Sequence, residues 1–241
     1  MTQHQIIASQ TSLLDRPIWN ALNTDFAPIA ECMGTARALP REMSPFAACA
    51  GLALNQIRDF LLLIAHRKEP VMTIEVETPI CRRQCILEDP TVGIQMIAKQ
   101  PEPPKNTLAV RDLSDAHATQ VLDLAERCKP GPFRSQTHRL GDFIGVFRDE
   151  RLVAMAGQRL KLPGFTEISA VCVEPEYRGS GFGAELVRCM SERIPDSGNV
   201  PFLHVYASNT SAIALYERLG FEARVQVQAT NWIRNAAVQH D

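Results

Sequence analysis

No stretch of this chain is long and apolar enough for a membrane span: the most hydrophobic segment, Phe46 to Ala65, is interrupted by Asn55, Gln56, Arg58 and Asp59. Basic runs are missing too. Nothing longer than Arg82-Arg83 occurs, and 25 Lys and Arg against 27 Asp and Glu give a formal net charge of -2. Binding to a nucleic-acid backbone relies on concentrated cations, so no nucleic-acid partner is expected. The opening residues, Met1-Thr2-Gln3-His4-Gln5-Ile6, have no basic region leading into an apolar run, so no secretory signal is expected. A disulfide framework is also absent, because the seven cysteines are odd in number and scattered, which suits free thiols in a reducing compartment. Cys81 and Cys85 stand four apart, but the nearest histidine, His66, is fifteen residues upstream of Cys81. A zinc site needs about four ligands, so no metal is expected. These absences together predict a cytoplasmic protein with no membrane partner.

What is present is an ordinary globular composition, 45% hydrophobic and 22% charged, over 241 residues. That length exceeds the usual size of one domain, roughly 100–200 residues, and predicts two modules. The strongest break is Gln100-Pro101-Glu102-Pro103-Pro104-Lys105-Asn106, whose prolines forbid helix and leave an extended connector. The predicted organisation is therefore an N-terminal α/β domain over 1–100, a Pro-rich linker over 101–106 and a second domain over 107–241. In that second domain Leu108 to Leu113 reads as a strand, followed by a helix reaching Cys128 and stopped by Lys129-Pro130-Gly131-Pro132. Phe143–Phe147 and Leu152–Ala156 flank a polar turn as a hairpin, and Thr166 to Val173 is a third strand. A helix opens near Gly179, a strand covers Phe202–Tyr206, a helix capped by Asn209 or Thr210 ends at Gly220, and terminal strands fill Glu222 to Ile233. This order predicts an α+β fold on a mixed sheet flanked by helices. Upstream, Asp59–Ile64 and Val71–Ile74 read as another hairpin resembling the one at Asp142-Phe143, offset by 83 residues, so the first domain is a candidate degenerate copy of the second.

The chemistry sits in Arg178-Gly179-Ser180-Gly181-Phe182-Gly183-Ala184, between a strand and a helix. Glycines let backbone N–H groups approach a ligand that a Cβ would repel, and the positive end of the next helix favours phosphate oxygens. A mononucleotide loop would end in Gly-Lys-Ser/Thr, but Ala184 and Glu185 follow Gly183. A dinucleotide loop would follow its strand directly, but Glu174-Pro175-Glu176-Tyr177 intervenes, and the next strand ends Tyr206-Ala207-Ser208 without a carboxylate for a ribose. A third pattern, arginine or glutamine, two residues, glycine, one residue, then glycine or alanine, is matched by Arg178, Gly181 and Gly183.

Residues 107–235 resemble the GNAT superfamily of acyl-CoA N-acyltransferases, through Thr166–Gly183 and through Asn209-Thr210-Ser211-Ala212-Ile213-Ala214-Leu215-Tyr216-Glu217-Arg218-Leu219-Gly220-Phe221. The chain is similar to members carrying an extra N-terminal domain. The resemblance implies that the backbone of Val171, Cys172 and Val173 pairs with the pantetheine arm of acetyl-CoA, while Arg178, Gly179, Ser180, Gly181, Phe182, Gly183 and Ala184 hold its pyrophosphate. Independently, Asn209, Ala212 and Tyr216 fall at i, i+3 and i+7, one stripe of a helix suited to lining a cofactor channel. Tyr216 matches the family tyrosine that protonates the departing thiolate; the competing reading is a core aromatic.

An amine acceptor is protonated near neutrality, so attack on a thioester needs a proton acceptor. Glu167 lies eleven residues before Arg178, the offset of the catalytic glutamate in GNAT histone acetyltransferases. Burial would raise its pKa towards that of a useful base; alternatively it is a solvated strand-end residue. His204 reads as a hydrogen-bonded core histidine or a proton relay, and Thr137-His138-Arg139 as a candidate acceptor wall. The implied function is acetyl transfer from acetyl-CoA directly to a primary amine of a small molecule or peptide, with a non-catalytic acyl-CoA sensor as the alternative. The first domain, lacking a glycine loop at Arg82–Pro90, is expected to wall the acceptor pocket or mediate homodimerisation.

Overall fold

The computed structural model describes residues 11–67, 69–77, 85–87 and 91–234. It divides into two compact units. The first contains Met1–Pro40, Pro45–Gly93 and Gln226–Asp241; the second contains Arg41–Ser44 and Ile94–Val225. Residues 94–106, the Pro-rich segment among them, fall in the second unit, and residues 226–234 fall in the first.

In the first unit, helix α1 (Pro17–Asn23) precedes three short antiparallel strands, β1 (Glu31–Met33), β2 (Ala36–Ala38) and β3 (Ala47–Ala48). Helix α2 (Leu54–Arg67) and strands β4 (Val71–Glu75) and β5 (Cys85–Leu87) follow. The hairpin expected at Asp59–Ile64 is thus a helix and then a strand. Asp59, Phe60, Leu63, Ile64 and Arg67 are its buried side chains, at helical spacing, while Leu62 is exposed; an unbroken apolar run hides that period. The likeness to the hairpin at Asp142 goes with it, but the element order of this unit, helix, three antiparallel strands, helix and strand, is also the order over residues 118–206 of the second. Phe60 packs edge-on against Trp232, whose indole donates to Thr73 Oγ1 at 2.9 Å. Cys81 and most of Arg82–Pro90 lie outside the described residues.

The second unit contains β6 (Thr91–Ala98) from Ile94 onward, β7 (Val110–Leu113), α3 (Ala118–Cys128), β8 (Phe143–Arg148), β9 (Arg151–Leu162), β10 (Phe165–Val173), α4 (Phe182–Arg193), β11 (Val200–Tyr206), α5 (Thr210–Arg218) and the first part of β12 (Phe221–Arg234). Its strand order is β12-β6-β11-β10-β9-β8-β7. Strands β7 to β10 pair antiparallel, whereas β10 and β11, joined through α4, pair parallel, so the sheet is mixed and the fold is α+β. Leu186, Val187 and Met190 of α4 pack with Ile144, Val146 and Val153. Val121, Leu124 and Ala125 of α3 pack with Phe143, Leu152 and Met155. Alternating sheet residues thus reach a helix on each face. Each fully buried aliphatic side chain contributes roughly 1.5–3 kcal/mol relative to exposure. The Asn209 side chain caps α5 by accepting from Ala212 N, and Lys129, with φ 50°, closes α3.

The Pro-rich segment is extended, as its prolines dictate, but it is anchored. Lys99 N and Gln100 N donate to Gly220 O at 2.9 and 3.3 Å, and Glu102 N donates to Leu219 O at 3.1 Å.

Candidate active site

The site begins with an irregularity in β10. Ser169 faces Gly157 of β9 while Cys172 faces Met155, which leaves one extra residue on β10, and Ala170 in between has φ 53°. This is a β-bulge, which bends and twists the strand. Parallel pairing with β11 covers Phe165–Glu167 opposite Val200–Phe202. Past these positions a cavity of about 970 Å³ opens, walled by Val171, Cys172 and Val173 of β10 and by Asn209, Ala212 and Tyr216 of α5. A strand edge with free backbone donors and acceptors is suited to an extended, amide-containing ligand.

At one end of this cavity the chain turns through the glycine loop into α4. Gly179 and Gly181 have φ of 76° and 83°, and the place a Cβ would occupy has no atom within 4 Å at either residue. Gly181 is the N-cap of α4 and no side chain caps it, so the first N–H groups of the helix are left for a ligand. Arg178, Gly179, Gly181, Phe182, Gly183 and Ala184 line the cavity; Ser180 does not. Arg178 Nε donates to Val173 O at 3.2 Å. Behind the loop, buried Glu174 accepts from Arg127 Nε at 2.8 Å and from Arg151 Nη2 at 2.7 Å, which fixes the turn leaving β10. An open glycine cradle beside cations at a helix N-terminus fits a pyrophosphate, and the bulged edge fits a pantetheine arm.

Tyr216 is half-buried in the cavity wall, its ring against Phe221. Burial, with a smaller effect of Cys172, pushes its hydroxyl up to about 12, so it keeps its proton through neutral pH. The thiol of Cys128, at the end of α3, also lines the cavity and donates to Val173 O at 3.5 Å. Its hydrogen bond with Cys172 lowers its pKa, burial opposes this, and Arg178 assists, bringing it to about 6. Cys172 is pushed up by that same hydrogen bond and by burial.

Glu167 is neither solvated nor part of the cavity lining. It is fully buried, with Arg159 Nε on Oε2 at 2.9 Å, Arg159 Nη2 on Oε1 at 2.6 Å and His204 Nδ1 on Oε1 at 2.7 Å. Burial alone would raise its pKa, as its position in an apolar strand predicts. The charge and hydrogen bonds of Arg159, joined by His204, reverse that and hold the carboxyl at about 2. The other ring nitrogen of His204 meets Gln95 Nε2 at 3.0 Å, and Gln95 Oε1 accepts from Arg224 Nη1 at 2.9 Å. His204 is thus a hydrogen-bonded interior histidine. The segment Thr137-His138-Arg139 ties parts of the fold together. His138 and Arg139 hold Asp115 at 2.8 Å each, and Thr137 Oγ1 donates to Met43 O at 2.6 Å.

Sequence reasoning did not place Arg159, Cys128, Arg188, Arg218, Glu102 or Lys105 at the site. For Arg159, which pairs with Glu167 behind the cavity, a signal existed, a charge within the apolar hairpin strand β9; Arg188 and Arg218 sit on the two helices already expected to line the cavity, while Cys128, Glu102 and Lys105 reach it through contacts distant in the chain.

Comparison with known proteins agrees with this geometry. A family model described as FR47-like protein matches residues 143–233. The mycothiol acetyltransferase of Brachybacterium faecium is 31% identical over 134 residues, 52% of this chain and 39% of that protein. The ribosomal protein bS18-alanine N-acetyltransferase of Salmonella typhimurium is 36% identical over 121 residues, 48% of this chain and 80% of that protein. The chain thus spans well under half of the mycothiol enzyme and most of the ribosomal-protein one. A crystal structure of a GNAT-family protein from Novosphingobium aromaticivorans is 36% identical, with a TM-score of 0.85, covering 92% of this chain and 99% of that one. A bulged strand parting from its parallel neighbour, a glycine loop heading α4 and a relative matched over nearly its whole length carry the same conclusion: this chain belongs to the GNAT family of acetyltransferases.

Proposed function

We propose that the chain transfers an acetyl group from acetyl-CoA directly to a primary amine of a small molecule or peptide. The observation that carries this reading is the cavity itself. Its bulged strand edge, open glycine cradle and uncapped helix N-terminus match the successive amide and phosphate groups of acetyl-CoA, and a protonated tyrosine stands in the same wall. Val171–Val173 take the pantetheine arm, Arg178–Ala184 the pyrophosphate, and Asn209 and Ala212 the helical side of the channel. When bound, acetyl-CoA supplies the activated acyl carbonyl; Tyr216 supplies a proton to the departing thiolate.

Glu167 is assigned a positioning role through His204 and Arg159. An ammonium acceptor has a pKa of about 8–10, so passing its proton to a carboxylate of pKa about 2 costs roughly 8–11 kcal/mol. That cost favours an amine that sheds its proton to water before attack. It also favours the second reading, acyl-CoA binding without turnover. Thermal unfolding with and without excess acetyl-CoA tests the donor, because a ligand selective for the native state must raise the midpoint. Thiol release across a panel of small-molecule and peptide amines then separates the enzyme, which gives acceptor-dependent CoA, from the sensor, which gives none.

A further inference from the structure

Four cations line the cavity: Lys105, Arg178, Arg188 and Arg218. They are not equivalent. Arg188 is neutralised, donating to Glu102 Oε2 through Nε at 3.0 Å and Nη2 at 2.7 Å and lying 3.6 Å from Glu185. Arg178 is tied to the end of β10 beside the glycine loop. The Lys105 ammonium makes no ion pair within 4 Å among the described residues, although its charge acts on Glu102, and its backbone is fixed: Lys105 N donates to Glu185 Oε2 at 3.2 Å, in the first turn of α4. The segment that carries it is fastened upstream by Lys99, Gln100 and Glu102 to Gly220 and Leu219, and by Glu102 to Arg188. A lysine held at its backbone, exposed and among the residues that line the cavity, is arranged for an anion that arrives with the ligand.

The loop N–H groups and Arg178 account for a pyrophosphate, and coenzyme A carries one phosphate more. We infer that Lys105 binds the 3′-phosphate of the acyl donor, making the Pro-rich segment part of the donor site. This rests on the acetyl-CoA reading above. The neutralised Glu102–Arg188 pair then serves to hold the segment against α4.

Calorimetric titration of the full chain with coenzyme A and with 3′-dephospho-coenzyme A tests the inference. Lys105→Ala is expected to weaken coenzyme A binding about ten- to hundredfold, the worth of one charge-assisted contact, and to leave dephospho-coenzyme A binding unchanged. Lys105→Arg is expected to restore binding of coenzyme A. Equal losses for both ligands, or no loss for either, overturn the inference while leaving the donor reading intact. Failure of the unaltered chain to bind either ligand overturns the donor reading and the inference together. The Lys105 side chain is exposed, so an unchanged melting temperature confirms that Lys105→Ala reports on binding.

Discussion

Two residues expected to handle protons sit in opposite environments. Tyr216 is in the cavity wall with its hydroxyl held in the protonated form by burial, so a donor proton is present throughout the neutral range. Tyr216→Phe keeps the ring against Phe221 and removes only the donor. Turnover is expected to fall about 10²- to 10⁴-fold, the usual contribution of one general acid, while acetyl-CoA affinity stays within a few fold. A Tyr216→Phe enzyme as fast as the unaltered one removes Tyr216 from the mechanism. Glu167, by contrast, is bound on both oxygens by groups that stabilise its charge. Its type and its offset from Arg178 were legible in the sequence; its protonation was not, because Arg159 approaches from the neighbouring strand.

Among the elements, the extended segment before β7 changes meaning most between sequence and structure. Its prolines dictate an extended chain and say nothing about docking. Docking requires that Gly220, with φ 86°, have no side chain: a Cβ there would lie 1.9 Å from Gln100 O. The same residue ends α5, so one glycine serves as a helix stop and as a seat for the segment. Gly220→Ala meets both the left-handed backbone, at about 1–2 kcal/mol, and this backbone collision, which no rotamer relieves. We expect a lower melting temperature together with weaker coenzyme A binding, since displacing Gln100 moves Glu102 and Lys105. Thermal unfolding and titration on the same preparation check this; an unchanged affinity would show that the cavity does not depend on where the segment lies.

At the scale of the molecule, the two units carry buried carboxylates of opposite pH response. In the first, Glu75 is 1% exposed, and burial, only partly offset by Arg16 at 2.9 Å, raises it from 4.5 to about 7. Its Oε2 has no hydrogen-bond partner among the described residues. Between pH 4.5 and 7 the folded state holds a proton that the unfolded chain has lost, so stability falls as pH rises through that window, by about 3 kcal/mol in all. In the second unit Glu167 is depressed to about 2, and its contribution is full above pH 4.5 and is lost as pH falls towards 2. Unfolding followed from pH 5 to 8.5 should therefore show a destabilisation on the alkaline side that Glu75→Gln abolishes. The same slope in Glu75→Gln would place its origin elsewhere.

The sequence alone determined the elements that make the cavity. Apolar spacing within β10, α4 and α5, the glycines at 179, 181 and 220, and the Asn209 cap act over a few residues, and local chemistry suffices to specify them. Only the tertiary structure decided the rest. Helix α2 was hidden in a continuous apolar run whose burial depends on Trp232, far along the chain. Residues 94–98 pair into the second unit and residues 226–234 return to the first because strand partners are chosen by backbone ladders and shared cores, which leave no mark in any single segment. The charge state of Glu167 and the seat of Lys105 depend on such long-range neighbours: a pKa and a docking position are properties of what surrounds a residue, and those surroundings exist only once the chain has folded.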